Sequence, residues 1–166
     1  MSVSLLAWLR DAAVVLAAVL AMEGIAWLAH RYVMHGIGWG WHASHHAPRA
    51  GRFERNDLYA IVFAAIAIAL IAAGQDPQRR VLALVGLGMT VYGALYLLVH
   101  DGLVHRRLPM AWQPRGGYLR RLVEAHQLHH AQHGREGCVS FGFLWAPRPE
   151  RLRERLRQAR AGGRRS

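Results

Sequence analysis

The chain has 166 residues, 53% of them hydrophobic, yet carries a formal net charge of +11. That pairing excludes an ordinary soluble globule and fits a chain whose apolar part lies in lipid and whose basic part meets anionic headgroups or an acidic partner. The long apolar runs argue against a nucleic-acid binder despite the Arg-rich surface, and the single Cys138 excludes an intrachain disulfide and a thiolate metal cluster.

The first apolar stretch runs from Ala12 to Ala29, with Glu23 its only internal charge. It is close to the roughly 20 residues that span a bilayer. Its position resembles that of a signal peptide, but His30 and His35 follow directly, so it reads as a permanent anchor. Asn56 and Asp57 read as the N-cap of a second apolar stretch, Leu58 to Gly74. Residues 75–80, with Pro77 at their centre, mark a tight turn. The third stretch, Val81 to Val99, then returns antiparallel. This hairpin puts the end of the first helix, the start of the second and the end of the third on one side. That side holds 18 of the 21 arginines, leaving Arg10, Arg79 and Arg80 for the other, so the positive-inside rule makes it cytoplasmic. Pro109, Pro114 and Gly116-Gly117 form a loop, and Tyr118 to His133 reads as a helix. Cys138 to Trp145 is apolar but too short to span, and packs on the histidine region or lies in the interface. Residues 150–160 read as an Arg-rich amphipathic helix, with the last few residues frayed. The expected fold is all-α: an integral membrane helical bundle of three to four transmembrane helices with a cytoplasmic, histidine-rich di-metal cap. A fourth span would come from 103–125 or 138–146. One domain covers 1–150, followed by a basic tail at 151–166.

Ten of the 11 histidines fall into four motifs: His30/His35, His42/His45/His46, His100/His105 and His126/His129/His130. The order is pair, triplet, pair, triplet, and the membrane hairpin brings the two halves together. On a helix, positions i, i+3 and i+4 lie within an arc of about 100°, so each triplet can face one centre. The pairs differ, because i and i+5 are about 140° apart on a straight α-helix. Either they flank a two-metal centre from different sides, or the helix unwinds between them. Imidazole suits Fe, Zn, Cu and Ni, and ten ligands suit two ions with five histidines each. A lone histidine is usually a core or surface residue, but this repeated pattern at helix ends is hard to explain that way. Three residues are candidates for supporting the ligands. Glu23 lies two turns before His30 and would orient a histidine, contact substrate, or bond a neighbouring helix. Asp101 adjoins His100, and His133 follows the second triplet. Tyr92 and Tyr96 line an apolar channel or simply pack between helices.

The motif order resembles the membrane fatty-acid hydroxylase superfamily, which includes sterol desaturases. Longer stretches are similar to the bacterial β-carotene 3-hydroxylases: His30-Arg-Tyr-Val-Met-His35-Gly, Gly38-Trp-Gly-Trp-His-Ala-Ser-His-His46, Asn56-Asp-Leu-Tyr59, Gly88-Met-Thr-Val-Tyr-Gly93, His100 to His105, and Cys138-Val-Ser-Phe-Gly-Phe143. The resemblance covers roughly residues 10–150. It implies a non-haem di-iron monooxygenase acting at carbon 3 of the β-ionone ring, taking β-carotene through β-cryptoxanthin to zeaxanthin and canthaxanthin towards astaxanthin. It further implies that the ten motif histidines hold two iron ions, that O2 is the co-substrate and that a reduced ferredoxin supplies electrons. The carotenoid would enter from the inner membrane, with the lipids as the other contact and no nucleic acid involved. Arg106, Arg107, Arg120, Arg121 and the tail arginines would attract an acidic ferredoxin or anchor headgroups. Fatty-acid, sterol or ketolase chemistry on the same scaffold is the nearest rival. A metal transporter, with ligands near mid-membrane, is a more distant one.

Overall fold

A computed structural model describes residues 3–48, 51 and 53–162. Among them all regular structure is helical. Helix α1 (Val3–Leu28) is apolar on every face, as befits a helix that meets lipid rather than water. Side chains such as Leu16 and Leu20 are exposed. Helix α4 (Arg80–Tyr96) likewise exposes Val81, Leu87 and Val91. An exposed apolar surface of this extent marks a membrane or partner contact. With their continuations, α1 and α4 are long and apolar enough to cross a membrane, over Ser4–Ile37 and Pro77–Val104. Helix α3 (Asp57–Ala73) is apolar but shorter. No spanning helix forms at 103–125 or 138–146. These features suggest membrane association.

Helices α3 and α4 form the expected antiparallel hairpin. A single 3-10 turn at Pro77–Arg79 closes it, and Asp76 Oδ1 accepts from the Gln78 amide at 2.9 Å. Helix α1 lies beside α4 and parallel to it. At their shared start Arg80 donates from Nε and Nη2 to Asp11 Oδ2, at 2.9 and 2.6 Å. Small residues let the backbones approach, as they do where lipid removes a hydrophobic drive to associate. A Cβ on Gly88 would lie 2.5 Å from Ala18 Cβ and 2.8 Å from Val15 O.

At the far end both α1 and α4 widen without a break into π-helical segments, Ala29–Ile37 and Leu97–Val104. Gly36 (φ −113°, ψ −120°) then kinks the first into α2 (Trp39–His46). Helix α5 (Gly117–His129) is shorter than the expected Tyr118–His133; its cap residue is His130. Helix α6 spans Pro149–Gly162. It seats Leu152 and Leu156 in one core with Leu122 and Ala125, leaving its arginines outside. Residues 138–146 form an irregular strap across the histidines. Residues 163–166, expected to fray, lie outside the described residues. Replacing Gly88 with Val should cost about 1–3 kcal/mol, because the α1 backbone has no room to yield. The thermal midpoint in detergent, compared with Gly93→Val where the space is open, checks this.

Candidate metal centre

The π-helical segments explain the paired motifs. A π turn bonds residue i to i+5 and so brings those positions onto one face. The His105 amide donates to His100 O at 3.0 Å, a bond that spans the motif itself. His30 and His35 have ring centroids 5.2 Å apart, and His100 and His105 are 4.5 Å apart. The helix therefore widens rather than unwinding between the pair, and each pair addresses a single centre. The break at Gly36 comes after its pair, not within it.

The triplets behave differently from expectation, because each one divides between two centres. On an α-helix i+3 and i+4 fall on opposite sides of i, about 100° apart. His42 and His46 join His30, His35 and His129. His45 joins His100, His105, His126 and His130. In the first group His42 Nε2 lies 3.1 Å from His30 Nε2, 3.2 Å from His35 Nε2 and 3.2 Å from His46 Nε2; His35 and His129 meet at 3.1 Å. In the second, His45 and His100 meet at 3.1 Å, and His126 and His130 at 3.0 Å. The ligand atoms of His45, His100, His105 and His126 all lie within 4.8 Å of one another. The result is two groups of five.

The outer ring nitrogens decide what can sit between them. Seven of the ten donate from Nδ1 to an oxygen. The acceptors are Phe141 O for His30 (2.9 Å), Arg135 O for His35 (2.9 Å), Gln132 O for His46 (2.9 Å) and Val139 O for His129 (3.1 Å). Asn56 Oδ1 serves His42 (2.7 Å), Glu54 serves His45 (2.8 Å) and Asp101 serves His100 (2.7 Å). Each of these oxygens only accepts, so Nδ1 carries the hydrogen and a neutral ring presents a bare lone pair at Nε2. One proton cannot bridge His42 Nε2 to three neighbours. A cation at each convergence satisfies all of them, and these residues fit a pair of transition-metal ions.

Protonation is an unfavourable substitute for the metals. Burial, opposed by the bond to Asn56, holds the His42 imidazole down to about 3. Burial likewise holds His46 down to about 4, and it depresses His126, His129 and His130. Cys138 also approaches His35, His46 and His129. Its thiol is pushed up to about 11 by burial and donates to Gly134 O at 3.4 Å, so it remains a protonated neighbour.

The two groups differ in their support. The first rests on four carbonyls and an amide, all neutral. The second rests on two carboxylates, Glu54 and Asp101. The bond from His45 keeps Glu54 below the usual carboxylate range. A carboxylate behind an imidazole raises its basicity as a ligand, so the second group is the more electron-rich. Asn56 and Asp57 are not the expected helix cap. Asn56 holds His42, and Asp57 receives a bidentate pair from Arg107 at 2.7 Å for each bond. Arg107 is thereby held against the start of α3. Arg120 is paired with Glu124 at 2.7 Å. Asp101 Oδ1 accepts from His100 Nδ1 at 2.7 Å. Among the described hydrogen bonds Glu23 has none to a histidine; its carboxylate receives Tyr92 OH and the amides of 143–145. His133 is exposed, at the rim of a polar recess bordered by His45, His46, His105 and His130. Glu54 and the carbonyls of 132–141 carry no signal in the sequence, whereas Asn56, expected as a helix cap, holds His42 instead.

On the membrane side of the cluster is an apolar cavity of about 450 Å³ between α1, α3 and α4. Met22, Phe63, Met89, Tyr92, Tyr96 and Phe143 form much of its wall. Tyr96 stacks on His100 with centroids 4.4 Å apart, and Phe143 stacks on His30 at 5.1 Å. Both tyrosines thus line the cavity, and Tyr96 with Phe143 separates it from the histidines.

The fatty acid hydroxylase family profile matches residues 15–147. The chain is 60% identical over 150 residues to the β-carotene hydroxylase of Pseudescherichia vulneris, covering 90% of this chain and 85% of that one. It is 57% identical over 158 residues to the β-carotene hydroxylase of Pantoea ananas, covering 93% and 90%. To that of a Paracoccus strain it is 51% identical over 147 residues, covering 88% and 90%. No solved structure gives a significant match.

Two outcomes follow from the geometry. Glu54→Gln should weaken metal retention by about 10–100-fold, read by chelator competition, because His45 loses its charged support. The metal-free protein should lose stability on acidification. A free histidine titrates near 6.5, whereas folded His42 does so near 3, so between those values the unfolded chain binds more protons. Its thermal midpoint should fall as pH drops below about 6.5 and stay flat just above.

Proposed function

The chain belongs to the fatty acid hydroxylase family, and we propose that within it this protein is a β-carotene hydroxylase, a di-iron monooxygenase of carotenoid rings. The observation that carries the reading is identity of 51–60% to three bacterial β-carotene hydroxylases over most of both chains. The geometry supports it from the other direction. An apolar cavity walled by lipid-facing helices ends at Tyr96 and Phe143, directly against the histidines. A β-ionone ring enters such a space sideways from the bilayer, while polar reactants use the recess beside His133.

His30, His35, His42, His46 and His129 hold one iron; His45, His100, His105, His126 and His130 hold the other. Bound there, the ions supply the O2 activation needed to oxidise an unactivated ring C–H bond. Overall, one oxygen atom enters the C–H bond and the other leaves as water, consuming two electrons and two protons. The protein's own part is to orient the ligands through Nδ1, to exclude water with Phe143 and Tyr96, and to aim the ring at the cluster. Carbon 3 is the site, giving β-cryptoxanthin and then zeaxanthin, with canthaxanthin a further substrate. Helix α3 completes three bilayer crossings, and the histidine end faces the cytoplasm, where 18 of the 21 arginines lie. A reduced ferredoxin approaches the exposed arginines of α6, which include Arg151, Arg155 and Arg157.

Pigment chromatography of carotene-producing cells tests this. Wild type should convert β-carotene to hydroxylated products, while His45→Ala and His129→Ala, one from each group, should leave at most a trace. Unchanged carotene with well-expressed wild type and a supplied ferredoxin would contradict the reading.

A further inference from the structure

The strap at 139–145 performs two tasks within seven residues. Val139 O accepts from His129 Nδ1 and Phe141 O accepts from His30 Nδ1. Between them Ser140 takes a left-handed conformation, φ 61°, which an L side chain adopts only when its surroundings impose it. Its hydroxyl is buried with no hydrogen-bond partner. Nothing local favours this turn, so its support has to come from elsewhere.

That support comes from the middle of α1. Glu23 Oε1 accepts the amides of Phe143 and Trp145, each at 3.0 Å. Glu23 Oε2 accepts the Leu144 amide at 3.0 Å and Tyr92 OH at 2.8 Å. Three successive amides turned towards one carboxylate make an anion-binding concavity. They also answer the cost of placing a carboxylate in an apolar helix. The approach is close: a Cβ on Gly142 would lie 2.7 Å from Glu23 Oε1 and would collide with Trp145 O. Tyr118 OH donates to Leu144 O and holds the outer side. Phe143 and Tyr92, both fixed through Glu23, line the cavity.

We propose that Glu23 is a positioning residue for the reaction: it anchors the 139–145 strap, whose two carbonyls orient His30 and His129 and whose Phe143 closes the cavity against the histidine cluster. This rests on the assignment of those histidines as metal ligands. The carboxylate is needed, not merely a side chain of its size. Each oxygen receives two donors, so an amide at this position strands two of them whichever way it is flipped. The effect falls mainly on the group containing His30 and His129, because the strap's hydrogen bonds go to those two rings, whereas the other group meets it only through the Phe143 ring against His100 and His126.

The test uses purified full-length protein in lipid nanodiscs, loaded with cobalt(II) as the probe. Wild type should bind two ions with separable affinities. Glu23→Gln should weaken one ion by about tenfold or more and change its visible absorption, with a smaller effect on the other. Gly142→Ala should reproduce that change with Glu23 still present. A wild-type cobalt spectrum and affinity in both variants would overturn the proposal. Hydrogen exchange on the wild type gives a second reading that needs no variant. The amides of 143–145 should be protected, and rapid exchange there would also overturn it. Wild type that takes up no cobalt would instead overturn the ligand assignment, and this inference with it.

Discussion

Ten imidazole rings converge on two places, and the rest of the structure is organised to keep them there. The constraint is electrostatic. In the seven rings whose Nδ1 donates to a carbonyl, a carboxylate or Asn56, the inner nitrogen carries no hydrogen, and these nitrogens crowd to 3.1–3.2 Å. Burial then prevents protonation from relieving the crowding, as the low values of His42 and His46 indicate. A metal pair bound there would turn that repulsion into attraction. The same demand accounts for features that look unrelated. The π-helical widening, the kink at Gly36, the strained Ser140 and the loop that places Glu54 beside His45 all serve to bring a ring or its acceptor to one of the two centres.

The two centres are built alike in their ligands and differently in their supports. Each takes one π-helical pair, and each shares both triplets with the other. Neutral acceptors back the first, whereas Glu54 and Asp101 back the second. Arg107 sits beside Asp101 at 3.6 Å and grips Asp57, tying the second centre to the start of α3. The cavity meets the cluster between them, where Phe143 contacts His30, His100 and His126 with ring centroids 5.1–5.8 Å apart. Phe143 thus adjoins both histidine groups at once.

Much of this was legible in the sequence, and the parts that were not share a cause. The hairpin, the helix order and the ten histidines follow from apolar runs, Pro77 and motif spacing, all of which are local. The i to i+5 spacing signalled a departure from α-helical geometry, but not that the helix widens instead of breaking. The division of each triplet was hidden, because three positions on one helix face look convergent until a second centre is placed beside them. Backbone carbonyls from 132–141 leave no mark on side-chain identity, so the acceptors of His35, His46 and His129 were unreadable. Arg107 was read as surface charge because nothing local tells that Asp57, 50 residues away, receives it. Glu23 was singled out by its cost in an apolar helix, yet its partners are amides 120 and more residues distant.

X-ray absorption of the iron-loaded protein tests the central claim most directly. Two irons per chain, each in a shell of nitrogen with the outer-scattering pattern of several imidazole rings, is the result this account predicts. A sulfur scatterer from Cys138, a shell dominated by carboxylate oxygen, or a single iron per fully loaded chain would contradict it.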